Sequence, residues 1–177
     1  MAMNQPFDHS PKKAHREKSK PSANEKLMDY LARRNHSELE LRQKLLKTFS
    51  QEEVERALQI ARENRWLLPD TELSAQVANE LHRKNKGLRF INQFLKTKGL
   101  PPVQKDSQEE LRKAQSILKA KLAKFQSFDY EVKKRAQRLL ANRGFDEETI
   151  RAAILAEAAT WSSSANAKSE DGWSDEP

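Results

Sequence analysis

Apolar residues recur along the middle of this chain at helical spacing. Val54, Ala57, Leu58 and Ala61 follow an i, i+3, i+4, i+7 pattern. Leu111, Ala114, Leu118, Leu122 and Phe125 make a longer stripe, and Ile150, Ala153, Ile154, Ala158 and Trp161 make another. Leu73, Val77 and Leu81 mark a further helix after the Pro69-Asp70 stop and cap. No stretch alternates apolar and polar residues between turn dipeptides, as a half-buried strand would. The pattern predicts helices near 24–34, 38–48, 51–64, 71–84, 88–98, 107–125, 129–142 and 147–160, with a further short turn after Pro101.

The helices repeat as a group. Leu45-Leu46-Lys47-Thr48-Phe49, Phe94-Leu95-Lys96-Thr97-Lys98-Gly99-Leu100 and Leu139-Leu140-Ala141-Asn142-Arg143-Gly144-Phe145 each end a basic helix on a large apolar residue. A spacing of roughly 50 residues is that of small helical units, each unable to bury its apolar face alone. The expected fold is therefore all-α: an elongated array of tandem three-helix units at 24–67, 68–105 and 106–161. A disordered basic arm over 1–23 and a disordered acidic tail over 162–177 would flank it, since both hold few large apolar residues. Ser37-x-x-Glu40, Ser50-x-x-Glu53 and Ser107-x-x-Glu110 have the form of capping boxes, in which two side chains satisfy N–H groups left free at a helix start. Phe49 with Val54, and Phe145 with Ile150, have the spacing of hydrophobic staples, so these aromatics read as core or elbow residues.

Charge and composition narrow the function. Of 177 residues, 33% are charged, four are Gly and none is Cys, which excludes disulfides and thiol chemistry. No apolar run approaches membrane-spanning length and no signal-peptide core opens the chain, so a cytoplasmic protein with no membrane contact is expected. The net charge of +7 is uneven: +3 over 1–26, +8 over 27–156 and −4 over 157–177. A basic body suggests a polyanionic partner.

Catalysis finds little footing. His9 and His15 fall in the arm, while His36 and His82 have no second ligand at metal-binding spacing, so no metal or cofactor is expected. There is no glycine-rich phosphate loop and no nucleophile elbow. Acids gather at helix starts, where the helix dipole favours them. The basic clusters say more. Arg83, Lys84, Lys86 and Arg89 surround Gly87, and Lys96 closes the next helix. Lys133, Lys134, Arg135 and Arg138 crowd the helix before the third loop, and Arg33, Arg34 and Arg42 recur in the first unit. Lys47, Lys98 and Arg143 have the simpler reading of cations complementing helix C-termini. Cations repeated unit by unit can track a regularly charged polymer or filament, through backbone contacts rather than base reading.

Several of these stretches resemble the RecX family, bacterial regulators of the RecA recombinase. They are Tyr30-Leu31-Ala32-Arg33-Arg34-Asn35-His36-Ser37 continuing to Leu45, Leu67-x-x-Asp70, Lys86-Gly87-Leu88-Arg89-x-Ile91, Lys98-Gly99-Leu100, and Leu140 to Phe145, in that order. Three features depart from the family pattern: a first loop, Lys47-Thr48-Phe49, without the usual Gly; Arg65-Trp66 in place of Gly-Tyr; and Pro101-Pro102 where a helix cap is usual. The resemblance implies a non-enzymatic protein that binds the groove of the RecA–DNA filament and lowers its ATPase, strand-exchange and coprotease activities; a monomer is expected. It transfers no catalytic residue. The twelve cations from Arg33 to Arg138 named above are the filament- and DNA-binding candidates, on charge alone. Two other readings stand beside it: an architectural protein binding single- or double-stranded DNA through the backbone without RecA, and an adaptor recruiting a partner through the acidic tail.

Overall fold

The apolar stripes become helices in the computed structural model, which describes residues 20–170. The first three, α1 (Ala23–Leu31), α2 (Glu38–Leu45) and α3 (Gln51–Glu63), enclose a core of Leu27, Leu41, Leu45, Val54 and Leu58. Next, α4 (Asp70–Arg83) and α5 (Leu88–Thr97) enclose Leu73, Ala78, Ile91, Leu95 and Leu100. The last three, α6 (Ser107–Leu122), α7 (Tyr130–Asn142) and α8 (Glu147–Glu170), surround Leu118, Leu122, Leu140, Phe145 and Ile150. The chain thus has three small cores in sequence rather than one, and no strand among the described residues. Phe145 is buried and Phe49 packs against the edge of its core, which gives both loop aromatics a structural job.

The second group holds two helices, not three. Residues 101–106 have no regular secondary structure, and no helical turn follows Pro101. Pro101 and Pro102 have no N–H to give a helix, and a residue before proline is pushed toward extended backbone. The segment is nevertheless held down. Asn92 donates from Nδ2 to the Val103 carbonyl (3.1 Å) and accepts the Val103 N–H (2.9 Å). Ser74 Oγ donates to the Pro101 carbonyl (2.9 Å), and Val103 itself packs on the core. The strap does the covering that a third helix would do.

The far end also differs from expectation: α8 continues past residue 161 to Glu170. From Ser162 to Glu170 there is neither proline nor glycine to stop it, and Gly172 is the first such residue. The expected basic arm with His9 and His15 lies almost wholly outside the described residues, as does Trp173.

Two helix starts that look like capping boxes are something else. Ser37 and Ser50 cap α2 and α3 through the Glu40 and Glu53 N–H groups, but only Glu53 reaches back to its serine. For α6 the cap is Asp106, which accepts N–H bonds from Gln108 and Glu109 (both 3.0 Å), and Ser107 is already helical. Glu40 and Glu110 are released for another task.

That task is joining the units. At the first joint the start of α2 meets the end of α5: Ser37 Oγ donates to the Lys98 carbonyl (2.6 Å), and Lys98 Nζ lies 3.1 Å from Glu40. At the second, the start of α5 meets the end of α7. The Gly87 N–H donates to the Arg143 carbonyl (2.8 Å), the Phe90 N–H to the Gly144 carbonyl (3.3 Å), and the Leu88 N–H to Glu110 Oε2 (2.9 Å). The middle helices α2, α5 and α7 are therefore linked end to end. Among the described residues no hydrogen bond or ion pair joins the first group of helices to the third, so the array is linear.

Candidate functional site

The joints are built from buried charge. Glu40, 8% exposed, sits among Arg34, Lys44 (3.4 Å) and Lys98. Burial alone would raise its pKa, but hydrogen bonds from Arg34 and Lys98 and their charges outweigh that and hold it down at about 2. His36, 4% exposed, faces the Arg34 carbonyl with Nδ1 (2.9 Å) and Lys44 Nζ with Nε2 (2.6 Å). Burial first, then the Arg34 and Lys44 charges, keep the ring neutral below its ordinary range, against the Arg34 carbonyl bond. Such a ring donates from Nδ1 and accepts at Nε2. The second joint repeats the arrangement with Glu110, Lys113 and His82, whose Nδ1 lies 2.7 Å from Lys113 Nζ. Glu110 is 2% exposed, and burial followed by the Lys113 charge lowers the His82 pKa.

Two of the twelve candidate cations are thereby occupied. Arg34 is the Glu40 partner, and Arg42 pairs with Glu38 (3.0 Å) and with Glu55. Glu38 also takes Arg62 (2.9 Å), which ties α2 to α3. Arg33 alone of its cluster has no ion-pair partner among the described residues. The first unit's cations are thus mostly neutralised by its own acids.

The remaining candidates are available. Arg83, Lys84, Lys86, Arg89 and Lys96 have no ion-pair partner among the described residues, and Lys86 lies over the Phe90 ring at 4.5 Å. Lys133, Lys134, Arg135 and Arg138 are likewise unpaired. The second joint sets the helices that carry these two clusters end to end, because the α5 start is bonded to the α7 end. Arg89 shares a groove of about 590 Å³ with Gln137, Ala141 and Arg151. Gly87, at the centre of this junction, is a point of close packing rather than a hinge: a Cβ there would collide with the Gly144 carbonyl.

Sequence reasoning passed over the cations beyond these clusters. Lys121 and Lys124 join Lys133 to Arg138 around the α6–α7 loop, each unpaired among the described residues. Four cations lie over three rings here: Lys124 and Arg135 over Phe125 (both 5.5 Å), Lys133 over Phe128 (5.7 Å), and Lys134 over Tyr130 (5.6 Å). Aromatic residues interleaved with lysines at 121–135 were the available signal. No group of three or more His, Cys, Asp or Glu side chains among the described residues could hold a metal ion. No helix among them is long and apolar enough to cross a membrane.

A linear array of small helical cores, with most of its unpaired candidate cations on the later units, defines a helical-repeat protein. Residues 23–59 match the family model for the first three-helix domain of RecX. By sequence, the likeness to the RecX family spans those residues of the first unit. Solved structures support the fold. A RecX from Lactobacillus salivarius superposes with a TM-score of 0.65 at 14% identity, covering 78% of this chain and 95% of its own. A second structure, a regulatory protein RecX, gives 0.62 at 19% identity, covering 73% and 69%. No curated protein sequence matches.

Proposed function

We propose that this protein is a non-enzymatic modulator, in the main an inhibitor, of the RecA recombinase. It would lie in the groove of the RecA–DNA filament, bridge neighbouring subunits, and lower ATPase, strand-exchange and coprotease activity. The match of residues 23–59 to the RecX model, together with a fold shared with solved RecX structures, supports RecA as the partner. The observation that carries the geometry is the set of unpaired cations on linked α5 and α7, Arg89 and Lys96 on one and Lys133 to Arg138 on the other. A repeating anionic track is what such a set fits. A monomer suffices, because the set is completed within one chain.

The test is RecA ATP hydrolysis on single-stranded DNA, titrated with this protein at fixed salt, beside DNA binding without RecA. Inhibition is expected well below the concentration that coats naked DNA. Inhibition only at coating concentrations would instead support the second reading, a backbone-binding DNA architectural protein, which the same unpaired cations favour.

A further inference from the structure

The α6–α7 loop carries a feature that a purely charge-driven surface does not need. Tyr130 opens α7 and is 72% exposed, the most exposed of the large apolar and aromatic side chains in the described part of the molecule. Leaving a large ring in water wastes hydrophobic burial unless something covers it. Beside it runs a groove of about 430 Å³ lined by Phe125, Val132, Lys134, Arg135 and Arg138 and also by the acids Asp129 and Glu131. Asp129 is committed to the helix, accepting the Val132 N–H (2.9 Å) and the Ser127 hydroxyl (3.2 Å), which leaves Glu131 as the free carboxylate. Against these two acids the α6–α7 loop and its flanking helices carry six cations, Lys121, Lys124, Lys133, Lys134, Arg135 and Arg138, of which the last three line the groove. Phe128 is anchored beneath by stacking on Trp161 (6.1 Å between centroids), so the platform is tied to α8.

We propose that this tip is a binding site for single-stranded nucleic acid, with an unpaired base stacking on Tyr130 and phosphates on Lys134, Arg135 and Arg138. An aromatic face beside a cationic groove is the physical requirement for holding a strand whose bases are free to stack. A duplex satisfies only the cations, because its bases are already stacked on one another. The Arg135 guanidinium over Phe125 adds to the platform, since planar cations also stack on bases. The inference deepens the reading above by naming the strand, and the place on this chain, that the unpaired cations would engage.

The test uses the full chain and two fluorescein-labelled oligonucleotides, a thymidine 15-mer and a hairpin duplex, read by anisotropy at fixed salt. Tyr130→Ala is expected to weaken single-strand binding roughly ten-fold and duplex binding by no more than about two-fold. Tyr130→Phe keeps the ring and should restore single-strand affinity. Arg135→Ala should weaken both and reduce the single-strand salt slope by about 0.7. Tyr130 is exposed, so its variants should melt with the wild type, which circular dichroism checks. Equal losses on both oligonucleotides, or no loss with Tyr130→Ala, would overturn the site. So would a Tyr130→Ala variant that binds the oligonucleotides normally yet no longer inhibits RecA ATPase, because the tip would then contact protein. Wild-type protein that inhibits RecA but binds neither oligonucleotide would overturn this site and leave the RecA reading intact.

Discussion

Arg65 and Asn85 are the two non-glycine residues with positive φ in the described chain, at 57° and 56°. Each follows a helix end, and the next N–H turns back to close it, Trp66 to the Ala61 carbonyl (2.9 Å) and Lys86 to the Leu81 carbonyl (3.0 Å). Asparagine tolerates the left-handed region; arginine gains nothing from it. Arg65→Gly should therefore raise stability by roughly 0.5–1 kcal/mol, measured by urea denaturation. Two groups of the first joint set a pH response. His36 titrates below its ordinary 6.5, so its contribution is present above that value and lost as pH falls toward its lower folded pKa. Glu40 drops from 4.5 unfolded to about 2 folded, so its contribution is full above 4.5 and fades as pH falls to 2. Glu40→Gln should cost about 2 kcal/mol at neutral pH, discounted for the half-exposed Arg34, and nearly nothing near pH 2. Melting curves of both proteins across that range check it. The joint was not visible in the sequence, where Glu40 and Glu110 have the spacing of capping glutamates. A box is local and readable, whereas a joint needs partners 58 or more positions away in the case of Lys98.

Helix positions were legible because each stripe needs only its own spacing. Val54, Ala57, Leu58 and Ala61 are all buried as their period requires. The glycine pattern at the repeat loops becomes intelligible only with the joints in place. Gly99, with φ of 68°, lies where a Cβ would be 2.9 Å from Leu39 Cδ2. Gly144, with φ of 82°, lies where a Cβ would be 2.6 Å from the Phe90 nitrogen. Both glycines end a middle helix against the start of the preceding unit's middle helix. The end of α2 receives no such neighbour, so Thr48 can stand where the other loops have Gly. Gly144→Ala should accordingly cost more than about 2 kcal/mol, combining backbone strain with the clash, and limited proteolysis should then cut first near the second joint. Thr48→Gly should change stability by less than about 0.5 kcal/mol. The two-helix middle unit was half legible: Pro101-Pro102 signalled irregular backbone, but the clasp between Asn92 and Val103 depends on a contact that periodicity cannot reveal.

Across the whole molecule, counting cations overstated the first unit. Arg34 and Arg42 read as surface charge in the sequence, yet their acids stand ready on α2 and α3. Charge reversal should separate the two classes. Arg34→Glu and Arg42→Glu should lower the melting temperature, while Arg89→Glu with Lys96→Glu should leave it unchanged and weaken filament binding, with a shallower salt dependence. The joints have a further consequence. At each one the amide end of a middle helix faces the carbonyl end of the next, so the three helix dipoles point the same way along the array. Free cations gather toward one extremity and self-neutralised charge toward the other. The molecule therefore has a direction as an arrow does, and its two ends are electrically distinct. Laid on a strand or filament that itself runs from one chemically distinct end to another, it has one preferred heading, and reversing it would put every joint's field the wrong way round.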